Sequence, residues 1–271
     1  MRLLLRRSLG MARVVGHLSR GALTMAVVFP FLDRHGRRRR VKRWAEGVLD
    51  IFGLTLVVEG TPAADGSRPT MLVGNHISWV DVYAYLSVAE VQFVAKSEVR
   101  SWPLVGWFAA NLGTIFVERD RPRDAIRVGR EVAGALETGA TVCVFPEGTT
   151  TDGSVVLPFS SVLVGAALER SVAVQPVAIA YRQPDGGICR RTAFTGDATL
   201  VASLWQLAGG GRSVVEIRFL PPIAAAGAGR REVARQAEDA IRASLGHPPR
   251  VAAATSRPAR EPSPASNPAR P

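Results

Sequence analysis

The chain has little of what would place it in several common classes. It has only two cysteines in 271 residues, Cys143 and Cys189, so a disulfide-built secreted domain is excluded and a reducing compartment is expected. Cys143 sits in the apolar run Thr141-Val142-Cys143-Val144-Phe145 and reads as a small core residue. Zinc-ligand spacings, a Walker loop and a Gly-x-Ser-x-Gly elbow are all missing. No metal or nucleotide cofactor is implied, and an α/β-hydrolase lipase is disfavoured. A long apolar run is missing too. The best is Gly21 to Leu32, twelve residues broken by Pro30 and followed by Arg34, against roughly 20 for a spanning helix. A helix lying in the membrane interface is expected instead.

With 47% hydrophobic and 21% charged residues, the composition is that of a globular protein. It supports one core domain with end segments and excludes whole-chain disorder or a collagen-like fold. The charge is unevenly placed. Residues 1–44 carry twelve Arg/Lys and one acid, which is the whole net charge of +11, and the remainder is neutral. A basic front end interleaved with apolar residues suits a membrane surface better than nucleic acid. A targeting presequence or a solvated basic helix are the plainer alternatives.

Residues 3–29 and 37–52 read as two helices, the second with Val41, Trp44, Val48 and Phe52 on one face. From residue 54 apolar strand candidates (54–58, 70–73, 91–95, 114–117, 141–145, 172–180, 213–219) alternate with helix candidates (80–88, 102–111, 123–138, 161–169, 230–245). That pattern predicts an α/β fold, a mostly parallel central sheet flanked by helices. The expected organisation is a membrane-docking helix pair over 1–53, a catalytic domain over 54–246 and a disordered Pro/Ala/Arg/Ser tail over 247–271.

Four clusters carry the chemistry. In Asn75-His76-Ile77-Ser78-Trp79-Val80-Asp81, five residues of ideal helix leave His76 and Asp81 about 140° apart. They pair only if His76 occupies the strand-to-helix turn and Asp81 the first helical turn. Asp81 would then hold one ring nitrogen and free the other as a general base. In Glu118-Arg119-Asp120, Arg119 either clamps an anion or pairs with a neighbouring acid such as Asp124. Phe145-Pro146-Glu147-Gly148-Thr149 is a glycine turn with hydroxyls, followed by Thr150 and Thr151. Val174-Gln175-Pro176-Val177 lines an apolar groove or is a core strand with a bulge or edge position.

Together and in this order, the clusters resemble the glycerophospholipid acyltransferase family, which includes bacterial 1-acylglycerol-3-phosphate acyltransferases. Asn75-His76 with Asp81 is similar to its NHxxxxD box, and residues 145–149 match its FPEGT box. The resemblance implies that His76 takes a proton from a lipid hydroxyl that attacks an acyl thioester directly, with Asp81 orienting the ring. Arg119, Glu147, Gly148 and Thr149 fall to the acceptor side, and Pro176 to the acyl donor. Acyl-carrier protein or acyl-coenzyme A would be the co-substrate and membrane lipids the partners, at the cytoplasmic face of the inner membrane. One departure bears on the acceptor. Phosphatidate-forming members often carry Arg after the FPEGT unit, where this chain has Thr150-Thr151-Asp152-Gly153. The expectation puts 1-acylglycerol-3-phosphate first as acceptor and lyso-ornithine lipid second. A thioester hydrolase and a non-enzymatic membrane-binding protein are the alternatives of another class.

Overall fold

A computed structural model describes residues 1–63, 68–118, 122–224 and 227–249. Residues 54–219 supply seven strands: β1 (Leu54–Glu59), β2 (Thr70–Gly74), β3 (Gln92–Lys96), β4 (Ile115–Val117), β5 (Thr141–Val144), β6 (Ala173–Arg182) and β7 (Ser213–Phe219). They form one sheet in the order β1-β7-β6-β2-β5-β3-β4. Every neighbouring pair is parallel except β6 with β7.

The helices are α1 (Arg2–Leu23), α2 (Arg34–Ile51), α3 (Asp81–Leu86), α4 (Val105–Asn111), α5 (Pro122–Glu137), α6 (Val164–Glu169), α7 (Leu200–Ala208) and α8 (Arg230–Leu245). They cover both faces of the sheet, and the two-residue period of the strands sorts the core accordingly. Leu72, Cys143, Ile179 and Ile217 face α2, α3 and α7. Met71, Val73, Val142 and Val144 face α5, α6 and α8. Because β2 and β5 are adjacent and parallel, the segments that follow them emerge side by side at one edge of the sheet.

Helices α1 and α2 form an antiparallel hairpin. The His17 ring stacks on Trp44 with centroids 5.6 Å apart, and its Nε2 lies 2.8 Å from the Trp44 carbonyl. Asp33 caps α2 by accepting from the Gly36 amide at 2.7 Å. At its other end α1 rests on α7, where Arg7 lies over the Trp205 ring at 5.9 Å. The hairpin thus packs on the body, yet it leaves Leu3, Leu4, Leu5, Leu9, Leu23, Val27 and Phe31 exposed.

Two expectations change here. The helical stretch continues through a π-helical segment, Thr24–Val28, and a 3-10 turn, Phe29–Phe31. The resulting 30-residue stretch, Arg2–Phe31, is long and apolar enough by length and composition to cross a membrane. The twelve-residue estimate counted only the run without charge and treated Pro30 as a break. Pro30 instead sits at the end, where a missing N–H disrupts no helix interior. Helix α7 was not anticipated. It is short, and its one clear signal is Thr199, whose hydroxyl accepts from the Ala202 amide at 3.2 Å.

Candidate active site

Strand β2 is buried throughout and runs straight into the site. Gly74 closes it tightly, since a Cβ there would collide with the Tyr85 hydroxyl. Asn75 then extends the sheet with its side chain. Its Oδ1 accepts from the Ile179 amide at 2.8 Å, and its Nδ2 donates to the Ile179 carbonyl at 3.0 Å. Residues 75–78 are irregular, and α3 begins at Asp81. His76 and Asp81 therefore meet across the turn, with Nδ1 2.7 Å from Asp81 Oδ2.

Asp81 is wholly buried, and both of its oxygens accept hydrogen bonds. Oδ2 also accepts from the amides of Ile77 at 2.8 Å and Ser78 at 3.0 Å. Oδ1 accepts from the Tyr181 hydroxyl at 2.7 Å. The His76 ring stacks on Phe145, with centroids 4.0 Å apart and planes 8° apart. Its Nε2 makes no hydrogen bond among the described residues, and the ring borders a cavity of about 470 Å³.

The loop after β5 clamps the same turn. Glu147 Oε1 accepts from the His76 amide at 2.7 Å, and Oε2 from the Leu157 amide at 2.8 Å. Burial pushes this carboxyl up to about 7, against the two amides that favour its charge. Both oxygens are thus engaged with backbone, and Glu147 braces the turn. Gly148 takes φ +73°, which a side chain rarely adopts. Thr149 and Thr150 reach the cavity wall. Thr150 donates its hydroxyl to the Phe194 carbonyl, and Thr151 donates to Val155 at 3.2 Å while its amide donates to the His76 carbonyl at 2.9 Å. Beyond them Asp152 pairs with Arg190 at 3.1 Å. Hydrogen bonds from Ser154, with the Arg190 charge, hold its carboxyl below the usual range.

The cavity is mostly apolar, with the imidazole in its wall. Trp79 and Tyr83 from the α3 region, Phe108 from α4 and Leu204 from α7 form much of its wall. Val14 and Leu18 of α1 with Trp44 and Val48 of α2 complete it. The hairpin is therefore part of the site, a role its basic composition did not signal. Lys96, at the carboxyl end of β3, also lines the cavity. Its signal was a charge placed directly after an apolar strand.

Of the remaining expected residues, one is not described and one lies elsewhere. Arg119 falls outside the described residues. Just before it, the Glu118 amide donates to Asp124, which also pairs with Arg127 at 2.6 Å. Pro176 is buried inside β6 opposite Val73 and is not among the described residues that line the cavity. Its carbonyl accepts from Leu220 at 3.0 Å, just where β7 ends and the ladder shifts register to the Val174–Ile223 bridge. The proline nitrogen faces that irregularity, so the core-strand alternative describes its position better than an acyl groove.

A profile of the family described as Acyltransferase matches residues 55–180. The lyso-ornithine lipid O-acyltransferase of Pseudomonas aeruginosa is 39% identical over 251 residues, covering 90% of this chain and 94% of that protein. The enzyme of the same name from Brucella abortus is 40% identical, covering 78% and 84%. The 1-acyl-sn-glycerol-3-phosphate acyltransferase of Neisseria meningitidis serogroup B is 32% identical, covering 68% and 71%. Among solved structures, the 1-acyl-sn-glycerophosphate acyltransferase of Thermotoga maritima superposes with a TM-score of 0.70 at 24% identity, covering 91% of this chain and 97% of that one. At that identity the likeness speaks for the fold.

Proposed function

The chain belongs to the acyltransferase family and is an acyltransferase of the lysolipid type; from that premise we propose that it acylates the hydroxyl of lyso-ornithine lipid. The non-enzymatic alternative falls away with family membership. The order of acceptors expected from the sequence is reversed here. What carries the reversal is the name shared by the Pseudomonas and Brucella relatives, which match at 39% and 40% over most of the chain. The loop chemistry agrees with it. Thr150 follows the FPEGT unit where phosphatidate-forming members often carry arginine, and the nearby Asp152 is occupied by Arg190. The Neisseria relative keeps 1-acylglycerol-3-phosphate as the second reading.

In the proposed reaction His76 Nε2 accepts the proton of the acceptor hydroxyl as its oxygen attacks the thioester carbonyl carbon. The tetrahedral adduct collapses, the C–S bond breaks, and the imidazolium returns its proton to the leaving thiolate. Asp81 fixes the tautomer and stabilises the imidazolium. The apolar cavity holds the acyl chain, Gly148 and Thr149 lie at the acceptor side, and Glu147 serves that side through the turn it braces. The donor is acyl-carrier protein or acyl-coenzyme A. No metal or cofactor enters the proposed mechanism. The exposed leucines and Phe31 of the hairpin, beside its arginines, support action at the cytoplasmic surface of the cell membrane.

The test is acyl transfer by the full chain in membranes, with labelled acyl-carrier protein and acyl-coenzyme A and both lysolipids, against a His76→Ala blank. Ornithine lipid as main product is expected. Phosphatidate as main product reverses the acceptor assignment. Free fatty acid alone, with neither lipid formed, restores the hydrolase alternative.

A further inference from the structure

Asp81 is held from two sides. Oδ2 takes His76 and two amides of its own turn, whereas Oδ1 takes one donor from far along the chain, the Tyr181 hydroxyl at 2.7 Å. Tyr181 lies near the end of β6, buried on the same strand face as Val177 and Ile179. The same strand holds the other flank of the turn, where the Ile179 backbone exchanges two hydrogen bonds with Asn75. One rigid strand thus fixes both residues that bracket His76.

We propose that Tyr181 is a positioning residue for acyl transfer, holding the Asp81 carboxylate in place and tempering the charge it presents to the His76 imidazole. The proposal rests on His76 being the base. Its physical basis is the sharing of one buried charge among four donors. A phenol donating to Oδ1 draws negative charge away from Oδ2, the oxygen that faces the ring. Burial, and the neighbouring carboxylate, push the Tyr181 phenol well above its usual range, so it stays a donor at neutral pH. Tyr85 of α3 and Cys143 of β5 also face Asp81 and stay neutral for the same reason of burial. Glu147, on the His76 amide, is pushed up to about 7 by burial. It is unchanged in every comparison below.

If Tyr181 only fills space and satisfies a buried oxygen, its loss lowers stability and leaves the imidazole titration where it was. If it tempers Asp81, its loss concentrates charge on Oδ2 and the imidazolium holds its proton more tightly. The experiment reads His76 directly. The full chain, labelled with ¹⁵N-histidine in detergent, is titrated across neutral pH by NMR, the His76 signal being identified with His76→Ala. In Tyr181→Phe the His76 titration moves up, by on the order of half a pH unit. The acidic limb of the kcat profile moves with it, and kcat at the optimum falls on the order of tenfold while both KM values hold. Replacing Tyr181 with 3-fluorotyrosine keeps the shape, strengthens the donor and moves the titration down. This variant also decides the matter if the phenylalanine variant does not fold. In an Asp81→Asn background Tyr181→Phe leaves the titration unchanged. A His76 titration that does not respond to either change at Tyr181 overturns the proposal. If the wild type acylates no lysolipid, the functional reading fails by itself, and the NMR comparison still tests the link.

Discussion

The His76–Asp81 turn and the N-terminal hairpin manage polar groups in opposite ways. In the turn, one buried carboxylate collects four donors, and a second, Glu147, takes two backbone amides. Little is left free except the imidazole edge that faces the cavity. In the hairpin, arginines stand in solvent beside exposed leucines and Phe31, and only the inner side packs on the body. A base must be held to a fraction of an ångström, which calls for a rigid, fully bonded surround. A docking surface must meet a fluid, charged layer, which calls for exposed apolar and cationic side chains. The two meet at the cavity wall, where Trp44 and Val48 of the hairpin face the same space as His76.

Breaking each region separately sharpens that contrast. The largest effect is expected from His76→Ala, which removes the proposed general base, a role worth about 10²–10⁴ in rate. Transfer should fall by that much while the chain stays folded, because Asp81 keeps three other donors when the imidazole is lost. Activity near wild type in a folded variant removes His76 from the mechanism. Next comes replacement of Arg37, Arg38, Arg39 and Arg40 by Gln. Each basic residue near an anionic surface is worth about 1 kcal/mol. Binding to anionic vesicles should therefore weaken by on the order of a hundredfold or more, measured by co-sedimentation, and added salt should narrow the gap. Turnover on detergent-dispersed substrate should hold. Unchanged vesicle binding would mean that apolar insertion dominates.

Legibility in the sequence also divides along these lines. The seven strands were visible as short apolar runs because the sheet is covered on both faces. The His76–Asp81 contact was visible because only one placement of the turn lets residues five apart meet. The sequence carried no comparable signal for the order of the strands or for the reversed direction of β7, since apolar runs do not say which neighbours they pair with. Helix α7 escaped because its nine residues make about two and a half turns, too short a run for a helical period to stand out. Tyr181 escaped for a different reason. It is one aromatic at the end of an apolar strand, and its partner is 100 positions away. The hairpin's share in the cavity wall was equally hidden, because a basic amphipathic helix looks the same whether its apolar side meets lipid or protein.

The smallest expected effect separates the two regions by pH. The arginines of the hairpin keep their charge across the whole accessible range. Its part-buried His17 does not: burial lowers the imidazole below its usual 6.5, so what the ring contributes to stability is lost as pH falls. Glu147 responds in the opposite direction. Burial raises its carboxyl from an ordinary 4.5 to about 7 in the folded chain. The folded state therefore binds this proton more tightly than the unfolded state. The stability gained from that preference is fully present below about pH 4.5 and is lost as pH rises to about 7, beyond which it is constant. Glu147→Gln has no proton to lose. It also gives up one of the two amide bonds, since the carboxamide nitrogen cannot accept, so the variant is less stable than wild type at low pH. The deficit should shrink between those two limits and then stay level. Denaturant midpoints of both proteins on either side of that window measure it. A deficit that does not change with pH would show that the two amides cancel the effect of burial, and one that grows as pH rises would show that they outweigh it.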